Sequence, residues 1–161
     1  MNIVIAYGSS TGNTRAAAEA IHRALGGELI DVAAAEAAEK LLAADLLVLG
    51  TSTWGVGELQ DDWAAFLPTL ENLDLTGKKV ALFGLGDQAS WGDTFVDGMG
   101  ILYETVVARG GTVVGAVAAE GYDCGASRAL VDGRFVGLPL DETNQPEKTA
   151  ERIAAWTKTL G

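Results

Sequence analysis

Tyr7-Gly8-Ser9-Ser10-Thr11-Gly12-Asn13-Thr14 joins Ile3-Val4-Ile5-Ala6 to Arg15-Ala16-Ala17-Ala18-Glu19-Ala20-Ile21. The first flank is a short apolar run that reads as a buried strand; the second reads as a helix. A strand entering a helix through a Gly-containing, hydroxyl-rich turn is an anion cradle. The helix N-terminus offers free backbone N–H groups and a partial positive charge. Ser9, Ser10, Thr11 and Thr14 add hydroxyl donors. The turn carries no Lys or Arg, which suits a phosphate monoester held by neutral donors rather than a triphosphate being cleaved. The triphosphate-binding spacing G-x-x-x-x-G-K-[ST] is not met. Gly8 and Gly12 stand one residue too close, and Asn13 occupies the Lys position. Without that Lys an ATPase or GTPase is discounted. The plainer reading, a Ser/Thr loop that only caps a helix, has to be weighed against the rest of the chain.

Working outward, strands and helices alternate. Leu29–Val32, Leu46–Gly50, Val80–Gly84 and Thr112–Val117 read as four further strands, and helices fall near residues 13–25, 34–43, 61–71, 94–109 and 146–160. Strands that are apolar throughout must be covered on both faces, which implies a parallel sheet between two helix layers. Such sheets bind ligands outside the carboxyl ends of their strands. Besides the cradle, two loops leave those ends. One is Thr51-Ser52-Thr53-Trp54-Gly55-Val56-Gly57-Glu58-Leu59; the other is Gly84-Leu85-Gly86-Asp87-Gln88-Ala89-Ser90-Trp91-Gly92-Asp93. Each sets a Trp among glycines. Two exposed indoles beside a phosphate site suit a flat aromatic ligand held between them; the alternative is that Trp54 and Trp91 cap the edge of the core. Gly84-x-Gly86-x-x-Ala89 mimics a dinucleotide fingerprint but does not lead directly into a helix. These glycines read instead as positions of close backbone approach to a ring.

Composition restricts the function classes. A chain of 161 residues can bury one sizeable core. The single Cys124 cannot form an internal disulfide and reads as a passive thiol in a reducing, cytoplasmic setting. No basic, apolar leader opens the sequence and no apolar run is long enough to span a bilayer. Net charge is −11, with six acidic residues and no Lys or Arg between Leu41 and Gly77, and four more without a base between Val80 and Ala108. Nucleic-acid binding needs a basic patch and is excluded. The acidic stretches read either as solubilising or as a face for basic partners.

The chain resembles the flavodoxin family, long-chain class, over essentially its whole length. The resemblance is carried by GSSTGNT at 8–14, TWGVGELQDDW at 53–63, FGLGDQASWGDTFVDGMGILYE at 83–104 and DGRFVGLPLDETNQPEKTAERIAAW at 132–156. It implies an α/β three-layer sandwich with a five-stranded parallel sheet in the order 2-1-3-4-5, an order for which flavodoxin is itself a standard example. The fifth strand would be split by residues 118–133 and resume over Arg134–Leu138, all within one domain, 1–161. The implied cofactor is non-covalent flavin mononucleotide (FMN). Ser9, Ser10, Thr11, Gly12, Asn13 and Thr14 would hold its phosphate, and Thr51, Ser52 and Thr53 would lie near the phosphate and ribityl chain. Trp54 and Trp91 would sandwich the isoalloxazine, with Trp91 standing where the family commonly has Tyr. Gly55, Val56, Gly57, Gly84, Leu85, Gly86, Asp87 and Asp93 complete the expected surround, with a reorienting Gly55-Val56 peptide at the ring.

The implied function is low-potential one-electron transfer through semiquinone and hydroquinone states, not enzymatic turnover. With no positive charge near the ring, the anionic reduced flavin is disfavoured and becomes a strong reductant. Glu58, Asp61, Asp62, Asp93 and Asp97 would ring the exposed flavin edge and dock a flavodoxin reductase or low-potential acceptors, with the protein a monomer. Asp141 and Glu142 are expected to lie outside that face. The alternative is an FMN-dependent reductase acting directly on a small substrate such as a quinone. It would need an open ring face and usually a proton donor, and the only His, His22, falls in the first helix away from the loops. A phospho-receiver domain lacks its acidic residues at Gly8-Ser9-Ser10 and Gly50-Thr51 and is rejected.

Overall fold

The computed structural model describes residues 1–54 and 57–160. Strands β1 (Ile3–Tyr7), β2 (Glu28–Asp31), β3 (Leu46–Trp54) and β5 (Lys79–Leu85) form the parallel centre of the main sheet, in the order β2-β1-β3-β5. A two-residue strand β4 (Glu58–Leu59) pairs antiparallel with the end of β3. Helices α1 (Asn13–Leu25), α2 (Ala37–Ala43), α3 (Asp61–Leu70), α4 (Asp97–Ala108) and α5 (Thr149–Thr157) cover the two faces, the last preceded by a 3-10 turn over Pro146–Lys148.

Strand alternation builds the layers. Successive side chains of a strand point to opposite faces. Val4, Ala6, Leu47, Leu49, Val80 and Leu82 therefore pack with Leu41, Trp63, Leu70, Met99 and Leu102 of α2, α3 and α4. Their chain neighbours Ile5, Tyr7, Val48, Ala81 and Phe83 pack with Ala17, Ala18 and Ile21 of α1 and Ile153 and Trp156 of α5. Both faces are buried, as the continuous apolar strands require.

The outermost strand position differs from the expected course. It is shared by β6 (Thr112–Val114), parallel to Lys79–Ala81, and β10 (Leu138–Leu140), parallel to Phe83–Leu85. The chain leaves β5 at Gly115, three residues before the expected break. Gly115 has φ +82 and an ideal Cβ there would lie 2.8 Å from Trp156 Nε1. The intervening segment folds as its own antiparallel sheet, β7 (Val117–Ala118), β9 (Arg134–Phe135) and β8 (Leu130–Val131). Arg134 and Phe135, expected to resume the main sheet, belong to this small one. Asp132 and Gly133, with φ 54 and 80, form the two-residue turn of its hairpin. Phe135 is fully buried with ring centroids 5.9 Å from Phe95 and 5.2 Å from Tyr122.

Among the described residues no helix is long and apolar enough to cross a membrane.

Candidate functional site

The cradle between β1 and α1 is held from beneath. Gly8 N–H and Trp63 Nε1–H both donate to Gly50 O, at 3.2 and 2.7 Å. Gly8 has no room for a side chain, because an ideal Cβ would sit 2.2 Å from Gln60 Oε1 and 2.8 Å from Trp63 Cδ1. Gln60, 1% exposed, is the junction. Its Oε1 accepts from Asp62 N and Trp63 N and caps α3, while its Nε2 donates to Ser10 Oγ at 3.2 Å. Ser9 Oγ accepts from Gly12 N at 3.0 Å. Gly12 enters the helix with φ 96, and α1 has neither a side-chain cap nor an acidic residue in its first turn. Its N-terminal donors therefore stay available for an anion.

Thr11, Asn13 and Thr14 join a cleft whose walls are the carboxyl ends of β3, β5 and β10 with the segments that follow them. Ser52, Thr53 and Trp54 come from the first, and Leu85, Gly86, Asp87, Trp91, Thr94, Phe95 and Val96 from the second. Glu142 and Thr143 come from the third. Among the described residues no Lys, Arg or His lines it. Of the four tryptophans, Trp63 and Trp156 are buried, while Trp54 and Trp91 are 39% and 47% exposed and both face this cleft. They do not serve as core caps. Ser52 Oγ and Thr94 Oγ1 are buried without a hydrogen-bond partner among the described residues. Buried hydroxyls are normally paired, so the cleft holds two polar atoms suited to a hydroxyl-bearing or phosphorylated ligand.

The other expected site residues stand behind this surface. Ser9, Ser10 and Gly12 shape the cradle through the bonds above. Thr51 is fully buried, and its Oγ1 donates to Ser52 O. Gly84 lies within β5 beneath Met99 and Val96, and Gly57 lies against Asp97. Asp93 turns toward Gly125, and Gly55 and Val56 lie outside the described residues. Asp87 organises its own loop. Its Oδ1 accepts from Ser90 N at 2.9 Å, Asn144 Nδ2 at 2.7 Å and Ala89 N at 3.1 Å, and the Ser90 amide, then Asn144, hold its carboxyl below the ordinary range.

Sequence reasoning passed over Gln60, Thr94 and Thr143, and it set apart from the site Glu142, which lines the cleft. The last two were within reach, because they follow a strand at the same carboxyl edge; placing that strand at 134–138 instead of 138–140 hid them. Asp141, expected on a remote surface, is 1% exposed. The inserted segment also reaches the second loop. Gly125 N and Ala126 N donate to Gly92 O, and Arg128 N to Asp97 Oδ1 at 2.7 Å. This brings a base beside the acidic stretch, although the Arg128 guanidinium is held by Glu104 at 2.7 Å. Cys124 is half-buried, and burial pushes its thiol up, away from the reactive thiolate. His22 Nε2 contacts Gly27 O at the far end of α1.

Residues 5–156 match the family model that describes flavodoxins. A flavodoxin from Picosynechococcus sp. is 49% identical over 158 residues, 96% of this chain and 92% of that protein. Flavodoxin 1 from Escherichia coli is 46% identical over 159 residues, covering 97% and 90%. The crystal structure of Fusobacterium nucleatum flavodoxin bound to flavin mononucleotide superposes with a TM-score of 0.93 at 35% identity, over 99% of this chain and 96% of that one. A match of this extent in sequence and in structure leaves one conclusion: the chain belongs to the flavodoxin family.

Proposed function

We propose that this chain is a one-electron carrier that holds FMN non-covalently in the cleft described above. The observation that carries the reading is the conjunction at one site of an uncapped helix N-terminus, two unpaired buried hydroxyls and two exposed tryptophans. The FMN phosphate is assigned to the α1 N-terminus with Thr11, Asn13 and Thr14; the ribityl hydroxyls to Ser52 and Thr94; the ring to the space flanked by Trp54 and Trp91. Bound FMN supplies the one-electron chemistry, and the protein supplies binding, orientation and electrostatics. Trp54 and Trp91 restrict access to the ring faces, which favours electron transfer at an edge over reaction with a small substrate. With Asp87 and Glu142 in the lining and no cation there, the site opposes added negative charge and favours a low potential.

Glu58, Asp61 and Asp93, close in sequence to the residues that line the cleft, are exposed, and Asp62 is half-buried beside Gln60. We assign this surface to transient docking on basic patches of redox partners, where charge sets encounter rate more than tightness. The protein is taken as a single domain, a monomer and cytoplasmic. Reconstitution with FMN followed by an anaerobic spectral redox titration tests the reading. One flavin per chain, reduced in two resolved one-electron steps, is expected. Failure to bind FMN, or steady quinone reduction from a nicotinamide at enzyme-like rates, would refute it.

A further inference from the structure

We propose that Asp141 is the positioning residue of the flavin site: one buried carboxylate holds the loop over residues 86–92 against both the C-terminal turn and the inserted segment. The inference rests on the FMN reading above. Strand β10 delivers Asp141 directly behind the cleft, and Gly86 N donates to Leu140 O beside it at 3.0 Å. Asp141 accepts five hydrogen bonds. Oδ2 takes Gln88 N at 3.0 Å, Gln88 Nε2 at 2.8 Å and Asn144 Nδ2 at 2.9 Å; Oδ1 takes Thr143 N at 3.1 Å and Asn144 N at 2.9 Å. No ion pair to it exists among the described residues. A buried carboxylate without a cation is tolerable only when donors satisfy it, and here five N–H groups do so. An amide at this position has one acceptor oxygen. Its NH2 would have to face either the three donors on one side or the two on the other.

The bonds radiate to all the segments that meet here. Gln88, 6% exposed, uses its amide and side-chain N–H groups on Asp141 and its Oε1 to accept from Asp123 N of the inserted segment. Asn144 uses the same Nδ2 group on Asp141 and on Asp87, which lines the cleft. Glu142 and Thr143, the next residues along the chain, also line the cleft. One carboxylate thus ties together two segments that line the site, directly at Thr143 N and, by way of Asn144, at Asp87. A buried Asp that merely closed a turn would need only the two Oδ1 bonds.

The test is Asp141→Asn, which keeps volume and removes one acceptor and the charge. In the apoprotein, amide hydrogen exchange should show Gln88, Thr143 and Asn144 losing protection, while Ala16 and the β1–β3 ladder keep theirs. FMN and riboflavin should weaken by the same factor, at least tenfold, and the visible circular dichroism of the saturated FMN complex should change. Thr11→Ala with Thr14→Ala, acting at the phosphate end, should weaken FMN selectively and leave that spectrum intact. Gln88 still protected in Asp141→Asn, with FMN bound within twofold of the parent, overturns the proposal. Should Asp141→Asn not fold, Gln88→Met and Asn144→Ala each delete a donor to the same oxygen. Both are expected to weaken the two ligands equally, and a loss confined to FMN overturns it. A parent protein that binds no FMN refutes the carrier reading, while the exchange measurement still decides whether Asp141 organises the loop.

Discussion

Ser52→Ala combined with Thr94→Val separates ligand-binding hydroxyls from structural ones by the sign of two measurements. Both oxygens are buried and unpaired in the described structure. A buried donor or acceptor left unsatisfied costs roughly 1–3 kcal/mol. Because the cleft opens to solvent, the lower end applies, giving about 2 kcal/mol for the pair. Removing the two hydroxyls removes that penalty from the apoprotein. Urea unfolding of the flavin-free variant should therefore show it about 1–2 kcal/mol more stable than the parent. The same change removes two partners that FMN would satisfy. At 1.4 kcal/mol per decade, losing about 2 kcal/mol raises the FMN dissociation constant about thirtyfold, read by quenching of flavin fluorescence. Stability gained and affinity lost share one cause, so they should move together. An apoprotein that becomes less stable while FMN affinity is unchanged refutes the reasoning, since the hydroxyls would then serve the fold alone.

Thr11→Ala with Thr14→Ala should weaken FMN by roughly 1.5–3 kcal/mol for each charge-assisted bond lost while hardly affecting riboflavin, which lacks the phosphate; parallel fluorescence titrations of the two ligands decide it. The Tyr122 phenol is pushed up to about 12 by burial, against the ordinary 10.0, with the Arg152 guanidinium 4.1 Å from its ring only partly offsetting this. The unfolded chain ionises first, so this group's stabilisation is complete below pH 10 and is lost between about 10 and 12. Tyr122→Phe should flatten the alkaline fall in stability, and the ultraviolet titration of the parent should show a late phase of tyrosine ionisation toward pH 12 that this substitution removes. Electron-transfer rates with a basic reductase should fall between 0.1 and 1 M salt, where the Debye length drops from about 10 to 3 Å. Neutralising Glu58, Asp61 and Asp93 should flatten that dependence, whereas Glu36 and Glu71, away from the cleft, serve as controls in the same stopped-flow series.

The central sheet and the cradle are legible because their signals are local. An apolar run, a turn with Gly8 and Gly12 and a good helix former follow one another in twenty residues. Trp54 and Trp91 are legible because an indole among glycines has few reasons to be exposed. What escapes is decided by contacts between distant segments. The hairpin turn at Asp132-Gly133 is itself a strong local signal, but Arg134–Leu138 competes with it as a plausible strand, and only the packing of Phe135 on Phe95 and Tyr122 decides between them. Asp141 reads as one more surface acid because its five donors lie in its own turn and across the chain at Gln88. Gln60 carries no hint that it reaches Ser10, fifty residues earlier.

The divided outer strand has a further consequence. An open sheet edge presents backbone groups that can recruit a strand from another molecule. Here the cleft-side half of that edge is three residues long, and it is centred on Pro139, paired with Gly84. Proline has no N–H to offer, and the Pro139 carbonyl is already taken by the Tyr122 hydroxyl at 2.6 Å. Nothing at that position is free to extend the sheet. The end of the sheet that bears the cleft can thus stay open to solvent without recruiting a strand at this half of its edge.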